Sequence, residues 1–160
     1  MIKPVDFNKA RIIVEFGPGT GVITLEILKR MNEFAKLIVF EINTEFADEL
    51  SKIPDTRMEM IKDGAENIEM HLKERGIGKV DYVISSIPLA MIPKKTEYAI
   101  LNSVKKNLKP NGAFIQFQYS LASLKKLKEV FDEVKINFTS MNVPPAWVFT
   151  CRINENAHGA

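Results

Sequence analysis

The chain has 160 residues, of which 46% are hydrophobic and 26% are charged, and its formal net charge is +2 at pH 7. These values are ordinary for one globular domain with a hydrophobic core and exclude an intrinsically disordered chain. No apolar run approaches the roughly 20 residues of a membrane span, and the N-terminal MIKPVDFNKA lacks the apolar core of a signal peptide, so we expect a cytoplasmic location.

Cysteine and histidine are scarce, which limits the chemistry that the chain can perform. Cys151 is the single cysteine, and His71 and His158 are the two histidines. These residues cannot form an internal disulfide, a zinc-binding pattern or a Cys-His nucleophile pair. We therefore expect no metal site and a buried position for Cys151 on a strand.

Apolar, β-branched runs alternate along the chain with segments of helical periodicity. The predicted strands are Arg11–Phe16, Leu37–Glu41, Arg57–Ile61, Val80–Ser85, Ala113–Tyr119, Val134–Ser140 and Trp147–Ile153. The predicted helices are Val22–Asn32, Glu45–Ile53, Gly64–Arg75, Lys94–Leu108 and Leu121–Phe131.

Strand–helix alternation predicts an α/β fold with right-handed crossovers and helices on both faces of the sheet. The last two strands have no room for a helix between them and should form an antiparallel hairpin. We therefore expect a Rossmann-like, doubly wound, seven-stranded sheet that is mostly parallel, in one domain over residues 1–153. Leu108–Gly112 should be a turn that launches the fifth strand, and residues 154–160 a disordered tail. About ten residues precede the first strand, too few to form a cap over a ligand.

A glycine-rich turn, VEFGPGTG, joins the first predicted strand to the first helix. Gly17, Gly19 and Gly21 allow the backbone to turn sharply and approach a ligand closely. Val22 occupies the third glycine position of a dinucleotide fingerprint, and the Glu15 carboxylate would repel a pyrophosphate but attract an ammonium or sulfonium group. This chemistry favours S-adenosylmethionine, which carries both cations and no phosphate.

Two more acidic residues end the second and third predicted strands. Glu41 is placed to accept hydrogen bonds from both ribose hydroxyls, Ile42 can pack on an adenine ring, and Asp63 can accept from the adenine amino group. The alternative is that these acids are solvated or cap helices, as Asp63 would do for the helix that follows it.

The glycine turn, the FEI segment, the DGA segment and the predicted sheet together resemble a class I S-adenosylmethionine-dependent methyltransferase over essentially the whole chain. We assign binding of S-adenosylmethionine to twelve residues at the predicted strand ends and turns: Glu15, Phe16, Gly17, Gly19, Thr20, Gly21, Glu41, Ile42, Asp63, Gly64, Ala65 and Ser85.

The methyl acceptor is expected at the loop after the fourth strand, SSIPLAMIP. In the rRNA adenine dimethyltransferases, which the chain resembles in VEFGPGTGVIT and the Ile-Pro step, this loop reads Asn-Ile/Leu-Pro-Tyr/Phe, and the asparagine and the aromatic ring hold the base. Ser86 and Leu89 stand at those positions here, and leucine cannot replace aromatic stacking worth ~1–3 kcal/mol per base.

The bacterial phospholipid N-methyltransferases have a similar loop, Ser-Gly-Leu-Pro-Leu followed by apolar residues and a proline. The chain also resembles them at Asn142–Val148, which matches Asn-x-Pro-Pro-Ala-aromatic-Val. We therefore place the acceptor at Ile87, Pro88 and Leu89, with Ser86 and Tyr119 as candidate catalytic residues. Tyr119 could hydrogen-bond the amine or face a methylated ammonium; its alternative is a packed residue with a solvated hydroxyl.

The charges are unevenly distributed. Residues 91–135 contain nine lysines and four acids, whereas residues 41–75 contain ten acids and five basic residues. Apolar residues of the acceptor loop beside Lys94 and Lys95 would suit docking on the inner face of an anionic membrane. The alternatives are that the lysines are only solvated and that Leu89, Met91 and Ile92 only cover the sheet.

Three hypotheses follow. The first is an enzyme that methylates the amine of phosphatidylethanolamine or a related aminolipid. The second is an rRNA adenine N6-methyltransferase, which the lysines favour and the residues at positions 86 and 89 do not. The third is a fragment or regulatory module that binds the cofactor without turnover.

Overall fold

The computed structural model describes residues 1–140 and 145–154. Its strands are β1 (Ile12–Phe16), β2 (Lys36–Phe40), β3 (Met58–Ile61), β4 (Val80–Ser85), β5 (Leu108–Gln118), β6 (Glu133–Thr139) and β7 (Ala146–Arg152). Its α-helices are α1 (Val22–Arg30), α2 (Thr44–Leu50), α3 (Ile68–Glu74), α4 (Lys94–Asn107) and α5 (Leu124–Val130).

The seven strands form one sheet in the order β3-β2-β1-β4-β5-β7-β6. Strands β1 to β5 are parallel, while β7 runs antiparallel between β5 and β6. This is the predicted doubly wound sheet with its C-terminal antiparallel hairpin, and the fold prediction is confirmed.

Two hydrophobic cores cover opposite faces of the sheet. Alternate strand residues contribute to different cores: Val14 and Phe16 of β1 belong to one, and Ile13 between them belongs to the other, as the two-residue period of a strand requires. Helices α3, α4 and α5 pack on the first face. Helix α1 and the N-terminal segment with Ile2 and Val5 pack on the second.

Strand β5 begins earlier than predicted. The turn expected at Leu108–Gly112 is a bulge within the strand, because Val80 pairs with Leu108 while Tyr82, two residues later, pairs with Ala113. A side chain on Gly112 would collide with the backbone oxygen of Asp81. The turn residues therefore let β5 loop outward and rejoin the ladder.

Two helices begin later than predicted. The segment Gly64–Arg75 begins as a 3₁₀ turn at Ala65–Asn67 before α3. Helix α5 begins at Leu124 rather than Leu121. The residues before it form a turn closed by the hydrogen bond from Leu124 N to Leu121 O, 3.0 Å.

The C-terminal segment is anchored on the sheet as far as it is described. Cys151 is fully buried on β7, as predicted, and the backbone N–H of Asn154 donates to Asp132 Oδ2 over 2.9 Å. Positions 142–144 of the predicted lipid-enzyme motif, and positions 155–160 of the predicted tail, lie outside the described residues. Within the described ranges, no helix is both long enough and apolar enough to cross a bilayer.

Candidate functional site

The candidate site lies where the carboxyl ends of β1, β2 and β4 meet. The chain adds β2 and β3 on one side of β1 and then places β4 and β5 on the other. At such a reversal, the connections leave in opposite directions and open a crevice beside the strand ends. The glycine turn follows β1 at this point.

The glycine turn is built from backbone that L-amino acids with side chains rarely adopt. The φ angles of Gly17, Gly19 and Gly21 are 64°, 55° and 86°. Gly17 N donates to Phe40 O over 3.0 Å, so the turn is tied to the end of β2. This geometry brings the backbone to the edge of the crevice without side chains in the way.

A cleft of about 440 Å³, called here the Glu41 cleft, opens beside this turn. It is lined by Gly17, Gly19, Phe40, Glu41, Ile42, Asn43, Phe46, Asp63, Gly64, Ala65, Glu66, Ser86, Ile87, Pro88, Ile92, Thr96 and Ile100. The structure therefore brings together most of the predicted cofactor residues from β1, β2 and β3. The cleft combines apolar walls with three carboxylates, Glu41, Asp63 and Glu66, a composition suited to a nucleoside.

The Glu41 carboxylate is held in place by backbone groups. Asn43 N donates to Oε1 over 2.9 Å, and Gly19 N donates to Oε2 over 3.3 Å. Glu41 is 7% exposed. A carboxylate accepts several hydrogen bonds, so it retains lone pairs for hydroxyl groups of a ligand in the cleft.

Asp63 has more local partners than predicted. Its carboxylate accepts from Gly64 N (2.7 Å), Asn67 Nδ2 (3.0 Å) and His71 Nε2 (2.7 Å). The hydrogen bonds, chiefly the one from His71, lower the pKa of Asp63. These bonds do not cap a helix, because Gly64 and Asn67 are the N-cap residues of the segments that follow and neither segment has a side-chain capping hydrogen bond. The same carboxylate also borders the cleft.

Glu15 lies below the turn, 1% exposed, and does not line the cleft itself. Thr24 Oγ1 donates to its Oε2 over 2.6 Å, while Oε1 has no partner among the described residues. Burial raises the pKa of Glu15 to about 7, against the opposing effect of the Thr24 hydrogen bond.

The loop after β4 is fixed by hydrogen bonds to both neighbouring strands. Ser86 N donates to Phe16 O over 3.0 Å. Gln116 Nε2, on β5, donates to Ile87 O over 2.7 Å. Ser85 Oγ accepts from Ile87 N over 3.3 Å. The loop is therefore a rigid wall between the spaces on its two sides.

A second cleft, called here the Tyr119 cleft, lies on the other side of this wall and has a volume of about 540 Å³. It is lined by Ser86, Pro88, Ala90, Met91, Phe117, Gln118, Tyr119 and Ser120. Ser86 and Pro88 border both clefts. Tyr119 is 61% exposed, and its ring meets that of Phe117 edge to face, 5.3 Å between centroids.

Leu89 corrects one of our predictions. We expected it to contact the acceptor, but its side chain is fully buried in the core below the loop. It covers the sheet, as the alternative interpretation held, because the short 3₁₀ turn Leu89–Met91 directs it inward while Met91 remains 85% exposed.

Besides Glu15, four residues assigned to the cofactor do not line either cleft: Phe16, Thr20, Gly21 and Ser85. Phe16 and Ser85 are fully buried, and Thr20 is exposed on the turn. Phe16 packs in the core against Phe40, and the Ser85 hydroxyl supports the loop backbone. These positions shape the site from beneath or beside it.

Sequence reasoning missed several residues of the site. Phe46, Thr96 and Ile100 line the Glu41 cleft, and Phe117 and Gln118 line the Tyr119 cleft. The helical residues come to the site through tertiary packing, which leaves no local signal. The alternating glutamines in FIQFQYS, on an otherwise apolar central strand, were the one available clue.

Exposed lysines follow residues of the Tyr119 cleft along the chain, a few positions after Met91 and Ser120. Lys94 and Lys95 begin α4, and Lys125 lies in the first turn of α5; all three are exposed. A helix N-terminus disfavours cations because of its positive dipole end. Helix stability therefore does not explain these lysines. In the described part of the chain, no three His, Cys, Asp or Glu side chains are grouped to hold a metal ion.

The chain is similar in sequence to known methyltransferases. No protein-family model matches the chain. Over 154 residues it is 30% identical to an ornithine lipid N-methyltransferase of Singulisphaera acidiphila, covering 94% of this chain and 80% of the relative. It is 36% identical over 93 residues to ribosomal RNA small subunit methyltransferase A of Mycoplasma mycoides, covering 55% of this chain and 33% of that protein.

Among solved structures, human methyltransferase-like protein 13 in complex with SAH superposes with a TM-score of 0.73 at 16% identity, covering 96% of this chain and 77% of that one. At this identity, the match shows a shared fold.

Proposed function

Because the chain belongs to the class I S-adenosylmethionine-dependent methyltransferases, we propose that it transfers a methyl group from S-adenosylmethionine to the amine of an aminolipid, phosphatidylethanolamine or a related lipid. The main structural support for this proposal is the pair of clefts that share Ser86 and Pro88. A nucleoside and an acceptor placed in them would meet at this shared wall.

The Glu41 cleft would hold the cofactor. Glu41 would accept from the ribose hydroxyls, Ile42 would cover the adenine, and Asp63 would accept from the adenine amino group. Ile42 is 77% exposed and therefore has apolar surface available for the ring. Buried Glu15, close below the turn, would stabilise the positive charges of the methionine portion.

Methyl transfer needs alignment more than covalent help from the protein. The amine lone pair forms the new C–N bond while the S–CH₃ bond breaks and its electrons remain on sulfur, leaving a neutral thioether. The resulting ammonium releases its proton to solvent. Ser86, on the shared wall, is placed to orient the acceptor, and Tyr119 presents its ring and hydroxyl to the same space.

A lipid suits the Tyr119 cleft better than a base does. Most of its lining side chains are apolar, and Met91, Tyr119 and Leu121 expose hydrophobic surface near it. Exposed apolar side chains beside cations are typical of proteins that dock on anionic bilayers. We propose that this rim rests on the membrane that supplies the lipid.

RNA is the second candidate, favoured by the match to the ribosomal RNA enzyme and by the lysines. Ser86 stands at the position of the base-holding asparagine, and Leu89, at the aromatic position, has no ring and is buried. Tyr119 is then the available aromatic residue for stacking.

The deciding experiment offers labelled S-adenosylmethionine to the purified protein with liposomes of phosphatidylethanolamine, liposomes of ornithine lipid, and ribosomal RNA in parallel. We expect label in a lipid fraction, and the head-group products would count the methyls added. Label in RNA alone would overturn the proposal. Binding of cofactor without transfer to any acceptor would favour the non-enzymatic module.

Glu41→Ala tests the cofactor site. It removes the partner of two ribose hydroxyls, and hydrogen bonds to a charged group contribute about 1.5–3 kcal/mol each. We expect affinity for S-adenosylhomocysteine to fall by at least about 100-fold in calorimetric titration. Glu45→Ala, an exposed acid on α2, is the matched control and should bind as the wild type does. Unchanged affinity in Glu41→Ala would place the cofactor elsewhere.

A further inference from the structure

A chain of buried polar side chains runs from the Tyr119 cleft into the space between α4 and α5. Gln118 Nε2 lies 3.2 Å from Ser123 Oγ, and Ser123 Oγ lies 3.0 Å from Glu97 Oε1. Lys126 forms an ion pair with the other Glu97 oxygen. We call these four residues the Glu97 network. Glu97 is fully buried, and Gln118 is 5% exposed.

The direction of each hydrogen bond in the network follows from its donors. An ionised carboxylate only accepts, so Glu97 accepts from Lys126 and from the Ser123 hydroxyl. Ser123 has one proton, which this bond uses. Its oxygen must therefore accept from the Gln118 amide N–H, and the orientation of that amide is determined.

The carbonyl of the same amide is left without a partner. Gln118 Oε1 is buried, and no donor among the described residues reaches it. Gln118 also lines the Tyr119 cleft. A buried polar atom without a hydrogen bond is unfavourable, so an N–H donor that reached Oε1 from that cleft would complete the site.

The Ser123 side chain belongs to the network and does not cap its helix. It is the N-cap residue of α5, but its side chain makes no capping hydrogen bond. Serine at this position normally accepts from a free N–H of the first turn. The sequence instead directs the hydroxyl inward, toward Glu97.

We propose that Gln118 binds the acceptor amine through Oε1 and that the Glu97 network fixes the amide in the orientation that presents this oxygen. The inference rests on the proposed function. A neutral carbonyl suits the reaction because a carboxylate at the same place would favour the protonated amine, which has no lone pair for attack.

The inference predicts which methylation step depends on Gln118. A neutral primary or secondary amine has an N–H to donate, whereas a neutral tertiary amine has none. Gln118 therefore assists the transfers that start from primary and secondary amines and contributes nothing to transfer to a dimethylated head group. A merely structural role for Gln118 would affect all acceptors equally.

The test measures kcat/KM of the wild type and Gln118→Leu with phosphatidylethanolamine and with its N-monomethyl and N,N-dimethyl derivatives. We expect a loss of about tenfold or more for the two N–H acceptors, the fold-change of one lost hydrogen bond, and none for the dimethyl lipid. S-adenosylhomocysteine binding should remain at the wild-type value, because Gln118 does not line the Glu41 cleft.

Gln118→Glu gives a second readout that needs no dimethyl activity. The carboxylate should favour the protonated amine and move the rise of kcat/KM with phosphatidylethanolamine to higher pH. Wild-type kinetics on phosphatidylethanolamine and an unmoved pH profile in these variants would overturn the inference while leaving the proposed function intact. Absence of lipid methylation by the wild type would instead refute the proposed function.

Discussion

Burial of the Glu15 side chain changes the pH at which its carboxyl group ionises. Its carboxyl group is buried with one oxygen unpartnered, and its pKa rises from 4.5 to about 7. The native protein therefore binds this proton more tightly than the unfolded chain does between those pH values. By linkage, the contribution of Glu15 to stability is full below about pH 4.5 and is lost as pH rises through about 7.

We predict that Glu15→Gln removes this pH dependence. A difference of roughly 2.5 pKa units corresponds to about 3 kcal/mol between the two ends of the range. Urea denaturation of both proteins from pH 4 to 8 would measure it. The wild type should lose stability with rising pH relative to the variant, and the two should converge at the acid end, where wild-type Glu15 is also neutral. Parallel curves would show that burial does not raise the pKa of Glu15.

The glycine turn between β1 and α1 is the element whose backbone most constrains its sequence. Gly21 has a φ of 86°, and a side chain there would overlap Leu50 Cδ2 on α2. Leu50 is 5% exposed and cannot easily move away. Helix α2 can therefore pack directly against the turn because Gly21 has no Cβ atom.

We predict that Gly21→Ala destabilises the protein more than Gly76→Ala. Gly76 also has a positive φ, 67°, but a Cβ there meets nothing within 4 Å. Both variants carry the left-handed backbone cost of ~1–2 kcal/mol, and Gly21→Ala adds an overpacking cost of ~1–3 kcal/mol. Chemical denaturation measures the free energy of unfolding of both variants and so gives the difference directly. Equal losses of stability would show that the Leu50 side chain moves aside at no energetic cost.

At the scale of the whole molecule, the fold collects lysines that are far apart in sequence. Helices α4 and α5 both begin at the carboxyl edge of the sheet, so Lys94, Lys95 and Lys125 lie at that edge although 31 positions separate Lys94 from Lys125. The net charge of +2 does not reveal this concentration.

We predict that Lys94→Glu/Lys95→Glu weakens binding to anionic vesicles by about tenfold or more. Each lysine near such a surface contributes ~1 kcal/mol to binding, and a glutamate in its place adds repulsion. Vesicle co-sedimentation at low and high ionic strength would measure it. Lys9→Glu/Lys29→Glu makes the same charge change at exposed positions near the amino ends of the strands and should bind as the wild type does. Equal losses in the two variants would indicate a net-charge effect.

Local sequence determined the order of strands and helices, because two-residue and helical periodicities reflect burial on each element. It also indicated the glycine turn and the carboxylates Glu15, Glu41 and Asp63, since these follow strands directly along the chain. Tertiary structure decided the rest. Leu89 turned inward because a 3₁₀ turn redirects the loop, and Gln118, Ser123 and Glu97 met because α4 packs on α5 beside β5. Such contacts depend on how elements pack, and no periodicity along the chain records them.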